Sequence, residues 1–238
     1  LDGPVHRLIV THFHPDHLGL ATWLMEKTGA PLSMTSGEFL TAHVVWHEIG
    51  GHGARFMVEQ FRQHGLGSEQ LAKFEKRGSG YRKAVPALPE YYNRLKAGDS
   101  TAVNGNISVF AATPEADALR WFLGSLDEMA RDIPDETLVL PSHGLPFKGI
   151  KARVLALHSH HAERLQALED SCEQAPQSAA ELLDVLFNRA LDTHQTMFAM
   201  GEAIAHLNYL EQAGRLSRSI DADGVIRYSR LQHIAATH

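Results

Sequence analysis

The sequence predicts a mixed α/β (α+β) chain of 238 residues. Three observations point to that class. Short apolar runs of strand length recur at 6–11, 31–35, 107–111 and 137–141, with a weaker one near 100–104. Between them lie stretches whose apolar residues repeat with helical period. The last part of the chain then reads helix, helix, hairpin.

The first strand leads into the most informative stretch, Thr11 to His17, which reads THFHPDH. Three imidazoles and a carboxylate crowd into it directly after Leu8, Ile9 and Val10. His12 and His14 are two apart, so in an extended segment both rings project to one side. Pro15 stops the strand and lets a turn carry Asp16 and His17 toward a neighbouring point. Imidazole nitrogen and carboxylate oxygen suit Zn²⁺, with Mn²⁺ and Fe²⁺ as alternatives. Two such ions about 3.5–4 Å apart clamp a reacting ester or phosphate. A histidine-rich surface loop is the competing reading, since the chain holds 16 His. The order of strand, His-x-His-x-Asp-His and apolar helix is much narrower than that.

Thr11 to Leu20 resembles the signature of the metallo-β-lactamase superfamily. A second segment, Thr137 to Phe147 (TLVLPSHGLPF), resembles that family's late strand, which ends in a metal-binding histidine. The resemblance implies an αββα sandwich with a dinuclear site at one edge. It implies that His12 and His14 bind one metal, and that Asp16, His17 and His143 bind the other. Two further ligands of the family pattern, a His in a turn after the middle strands and a bridging Asp, have no good match between His17 and His143. Gly98-Asp99 looks like a turn before a strand, and Gly105 runs directly into Asn106. The expectation is therefore that N-terminal and middle segments are missing, with a break near Gly105–Asn106. An intact peptide bond there would instead imply a degenerate site.

The remaining elements follow in order. A helix runs from His17 to Lys27 and ends at Gly29 and Pro31. Ser36 reads as the N-cap of the next helix. Residues 37–97 form a long helical insertion, either a lid over the site or a peripheral layer. Tyr81, Tyr91 and Tyr92 lie in it as candidates for facing the pocket. His43, His47 and His52 share part of it. Their spacing misses the zinc-protease helix by one residue, because four residues separate His47 and His52. They read better as solvated or lid-lining groups. A helix covers 115–131. A long helix covers 150–172, with His158, His160 and His161 as surface or interdomain residues. Ser178 caps a further helix, another spans 197–213, and Gly214 ends it. The strands 216–219 and 225–228 flank an Asp-Gly turn. The expected division is a metallo-β-lactamase-like domain at 1–149 and a helical domain at 150–238. The latter resembles the winged-helix domain appended to one branch of the superfamily.

Composition narrows the function. The net charge is −6, and residues 150–238 hold eight Lys and Arg against eleven Asp and Glu. A nucleic-acid module needs a basic face, and only Arg215, Arg218, Arg227 and Arg230 on the wing offer one. The single cysteine excludes an internal disulfide framework and fits a cytoplasmic location. No apolar run is long enough to span a membrane. The leading expectation is a dinuclear metallohydrolase whose metal-bound hydroxide attacks a small-molecule ester, thioester or related acyl substrate, with Asp16 steering the proton. A single-stranded RNA endoribonuclease is the second reading. A non-catalytic protein with an incomplete site is the third. Self-association into a homo-oligomer stays open.

Overall fold

The computed structural model describes residues 3–78, 80–95 and 114–231. The elements run β1 (Leu8–Ile9), α1 (Pro15–Leu18), α2 (Ala21–Thr28), β2 (Leu32–Thr35), α3 (Ser36–His47), α4 (Ala54–Gln63), α5 (Ser68–Arg77), α6 (Tyr81–Ala84) and β3 (Asn93–Leu95). There follow α7 (Ala118–Asp132), α8 (Ile150–Gln174), α9 (Leu183–Leu186), α10 (Thr193–Gln212), β4 (Leu216–Ile220) and β5 (Ile226–Arg230). The expected strands at 107–111 and 100–104, the Gly98-Asp99 turn and the Gly105–Asn106 junction lie outside the described residues. The chain divides into two units.

The first unit comprises residues 1–54, 77–105 and 141–145. Its strands form a parallel sheet in the order β1-β2-β3. Leu8 pairs with Leu32, and Ser33 pairs with Asn93. Parallel neighbours need a crossover, and α1 and α2 supply it between β1 and β2. β3 adds a short strand, not expected from the sequence, near the end of the largely helical stretch 37–95. Gly29 closes α2 in the left-handed conformation, φ 69°, as its sequence position predicts. At α3 the N-cap is Thr35 and not Ser36: the Thr35 hydroxyl accepts the Glu38 N–H at 3.3 Å. Leu18, Leu32, Met34 and Val85 are buried.

Gly19 is a steric necessity here. A Cβ at this position would lie 2.5 Å from Pro15 O and 2.7 Å from Ala84 O. Both are backbone atoms, so α1 and α6 approach this closely only because residue 19 has no side chain.

The second unit comprises residues 55–76, 106–140 and 146–238. Most of α4 and α5, read from the sequence as part of one insertion, therefore belong with it. Its core gathers Phe61 and Phe74 with Leu168, Met200, Ile204, Leu207 and Tyr228. Each fully buried Leu, Ile, Met or Phe side chain stabilises by about 1.5–3 kcal/mol. Cys172 lies in this core, and burial pushes its thiol up to about 11. The expected strand at 137–141 reduces to a single antiparallel bridge, Val139 with Phe147. α10 begins in a capping box: the Asp192 carboxylate accepts the Gln195 N–H, and the Gln195 amide oxygen accepts the Asp192 N–H. Ser178 and Glu181 cap one another in the turn before α9.

The hairpin β4–β5 is antiparallel, with Leu216 opposite Arg230 and Ile220 opposite Ile226. Its loop is wider than a two-residue Asp-Gly turn. The Asp221 carboxylate accepts the N–H groups of Asp223 and Val225, both at 2.9 Å. All four hairpin arginines are paired within the unit. Arg215 meets Glu169. Arg218 meets Glu115 and Glu211. Arg227 meets Asp221 and Glu181. Arg230 meets Glu169, Asp170 and Glu173.

His161, expected as a surface or interdomain residue, lies instead inside the second unit. It is buried, and its Nδ1 lies 3.1 Å from Nε2 of buried His206. His206 in turn donates Nδ1–H to the Glu202 carbonyl at 2.8 Å. His206 Nε2 is then the acceptor, and His161 supplies the proton between the rings. His158 instead lies beside Asp127, at 2.9 Å.

Among the described residues, no helix is long and apolar enough to cross a membrane.

Candidate metal centre

The site begins where β1 ends. In a parallel sheet the carboxyl ends of all strands open on the same edge, and ligands bind there. The Thr11–His17 loop leaves the carboxyl end of β1, and Thr35–Glu38 leaves the carboxyl end of β2. Pairing of β1 with β2 sets the two side by side, although 25 residues separate Phe13 from Glu38.

The five residues expected from the sequence converge, all within the first unit. Donor atoms of His12, His17 and His143 lie within 4.8 Å of one another, and so do those of His12, His14 and Asp16. The His17 and His143 Nε2 atoms are 3.1 Å apart. Asp16 Oδ2 is 3.4 Å from His17 Nε2 and 3.6 Å from His143 Nε2. The ring centres of His12 and His14 are 4.7 Å apart, and those of His12 and His17 are 3.9 Å apart. His12 is the shared member and the most enclosed, at 1% exposed. The Asp16 and His143 side chains face solvent, at 58% and 67% exposed. The site is thus buried at one end and open at the other.

Electrostatics follow burial. Desolvation, together with the neighbouring rings of His17 and His14, pushes the His12 imidazole down to about 4. Desolvation likewise lowers His14, with Asp16 opposing it. Both rings are therefore neutral at pH 7, the form that binds a cation.

The donor set fits divalent ions. Two nitrogens on one tetrahedral Zn²⁺ at about 2.0–2.1 Å stand roughly 3.3 Å apart. The His17–His143 separation matches that spacing. His43, His47 and His52 join no such cluster among the described residues. His43 Nε2 instead lies 3.3 Å from the Pro89 carbonyl.

Two supporting residues, Thr11 and Glu38, were not assigned from the sequence, and a third, Tyr81, was named there only as a candidate for facing the pocket. The Thr11 hydroxyl lies 3.0 Å from His12 Nδ1 and 3.4 Å from His17 Nδ1. A hydroxyl both donates and accepts, so it orients both rings and leaves each Nε2 for other partners. Its place at the head of the motif was the available signal. Glu38 accepts the Phe13 N–H at 2.9 Å, and Tyr81 donates its hydroxyl to the Phe13 carbonyl at 2.5 Å. Burial and the Glu38 carboxylate push the Tyr81 phenol upward, so it remains a donor. Burial raises Glu38, and the Phe13 N–H counters it. Nothing local in the sequence marks Glu38, and Tyr81 stood out only as one of three tyrosines in the insertion. Tyr92 does not point to a site: it stacks on Phe39 at 4.1 Å and its hydroxyl bonds Ser36.

The metallo-beta-lactamase superfamily model matches residues 1–67, and the model for the metallo-beta-lactamase-like C-terminal domain matches residues 165–231. A beta-lactamase domain protein from Burkholderia ambifaria, known from its crystal structure, is 36% identical with a TM-score of 0.83; the match covers 96% of this chain and 76% of that one. The chain belongs to the metallo-beta-lactamase superfamily. A metallo-beta-lactamase family protein from Thermus thermophilus is 28% identical with a TM-score of 0.72, over 95% of this chain and 80% of that one. A comparison with curated proteins finds no match. The metallo-beta-lactamase fold is thus the fold of this chain. Its superfamily typically binds metals, and membership points to a metal-dependent hydrolase.

Proposed function

We propose that the chain is a dinuclear metal-dependent hydrolase acting on an ester, thioester or related acyl substrate. His12 and His14 would hold one divalent ion, and Asp16, His17 and His143 the other, with zinc ahead of manganese or iron. The observation that carries this reading is the gathering of His143 onto the early loop, 126 residues after His17. Bound ions of this kind lower the pKa of water from 15.7 to about 7 and polarise a carbonyl. Thr11 keeps the His12 and His17 rings turned for binding. Asp16 is exposed beside two imidazoles, so its Oδ2 can hold the proton of an attacking water and release it to the leaving group. Exposed Leu20 and Leu145 follow the two ligand segments in sequence and suit an apolar acyl group.

We read the C-terminal helices and hairpin as a winged helix that serves packing. The neutralised hairpin arginines support this, because a phosphate backbone would have to displace an internal carboxylate at each of them. They weigh against the RNA-cleaving reading. A cytoplasmic location is in keeping with the single buried thiol.

Elemental analysis of the intact protein tests the first part, with close to two ions per chain expected. A turnover screen of aryl esters, thioesters, lactones and labelled RNA tests the second. Protein that takes up no metal, or that cleaves only RNA, would overturn the reading.

A further inference from the structure

We propose that Glu38 and Tyr81 are positioning residues: together they grip both peptide groups that join His12 to His14, and so set the angle between the two imidazoles. The inference rests on the metal-binding reading of that loop.

The geometry is specific. The Phe13 N–H belongs to the peptide linking His12 to Phe13, and it is held by the Glu38 carboxylate at 2.9 Å. The Phe13 carbonyl belongs to the next peptide, linking Phe13 to His14, and it is held by the Tyr81 hydroxyl at 2.5 Å. Rotating either peptide plane turns the adjacent imidazole. The two grips come from different elements, α3 and α6, so the loop is fixed from two directions. The Phe13 ring is itself buried, its centre 6.1 Å from that of Tyr81, and gives the loop a third anchor.

Glu38 stands where a helix would normally use it locally. It is the third residue of α3, and its N–H goes to the Thr35 hydroxyl. In a capping box the carboxylate at this position turns back to the N-cap. Here it reaches to Phe13 instead. Tyr81 is buried, and its hydroxyl would be costly to bury without a partner. It finds that partner on the loop and nowhere in its own helix.

The test uses Glu38→Ala, Glu38→Gln and Tyr81→Phe in the full chain, with no reliance on turnover. Zn²⁺ affinity is measured by competition with a chromophoric chelator. Ligand geometry is read from the visible spectrum of the Co²⁺-loaded protein. Thermal midpoints without metal report whether each variant folds. Glu38→Ala and Tyr81→Phe are each expected to weaken Zn²⁺ binding about 10–100-fold and to shift the cobalt bands. Glu38→Gln keeps an acceptor oxygen and is expected to restore most of the affinity. Folded variants with unchanged affinity and spectrum would overturn the positioning role alone. Unfolding of both Glu38→Ala and Tyr81→Phe would overturn it in favour of a purely structural one. Wild-type protein that binds neither Zn²⁺ nor Co²⁺ would overturn the functional reading as well.

Discussion

His17 and His143 stand 126 residues apart in the chain, and their Nε2 atoms stand 3.1 Å apart. At that distance two imidazoles either share a proton or share a cation, because two bare lone pairs would repel.

His143→Ala is therefore expected to lower the metal stoichiometry from two ions toward one while leaving the His12–His14 pair loaded. His12→Ala, which removes one of the two ligands assigned to the first ion and the member common to both clusters, should lose the first ion and weaken the second. Mass spectrometric metal counting on dialysed protein separates these outcomes. Two ions retained in His143→Ala would remove that residue from the site.

Gly19→Ala should be destabilising although alanine favours helices. Its methyl would sit 2.5 Å and 2.7 Å from two carbonyl oxygens that cannot rotate away. Overpacking of this kind costs about 1–3 kcal/mol. The expected signs are a lower thermal midpoint by calorimetry and weaker Zn²⁺ binding, since α1 carries Asp16 and His17. An unchanged midpoint would mean that α1 and α6 separate easily.

Stability should fall on acidification through the buried histidines of the second unit. Burial holds His64, His161 and His206 at about 4, below the ordinary 6.5. Between those values the unfolded chain binds more protons than the folded one. Stability is thus full above pH 6.5 and declines toward pH 4, by up to about 1.4 kcal/mol per pH unit for each histidine. Glu202, raised by burial, acts in the opposite sense. Urea unfolding at pH 7 and pH 5 measures the decline. The double variant His161→Leu/His206→Leu should flatten it; an equal slope in that variant would acquit the pair.

Replacing Arg215, Arg218, Arg227 and Arg230 together by Gln should leave single-stranded RNA binding unchanged and lower stability. Each arginine answers an internal carboxylate, and Glu169, nearly enclosed, answers two of them. Filter binding at low and physiological salt, paired with thermal melts, tests both halves. A large loss of RNA affinity would restore the basic wing as a nucleic-acid surface.

The early motif was readable because its chemistry is compressed into one strand end, where alternation and a proline dictate which side chains converge. His143 was readable only through the resemblance of its own strand end. Much else depends on contacts that no local pattern records. The strand β3 has three residues and an unremarkable composition, and it exists because β2 offers an edge. His161 looks like one of several surface histidines on a long helix until α10 brings His206 against it. Glu38 and Tyr81 act through parallel strand pairing and helix packing, which the residues around them do not announce. The segment at 137–141 has the composition of a strand yet forms a single bridge.

Cys172 gives the protein a built-in clock. Its sulfur is sealed in the second unit's core and holds its proton far into alkaline pH. An alkylating reagent at neutral pH should therefore react only during those moments when that core comes apart, and the rate of labelling would count them.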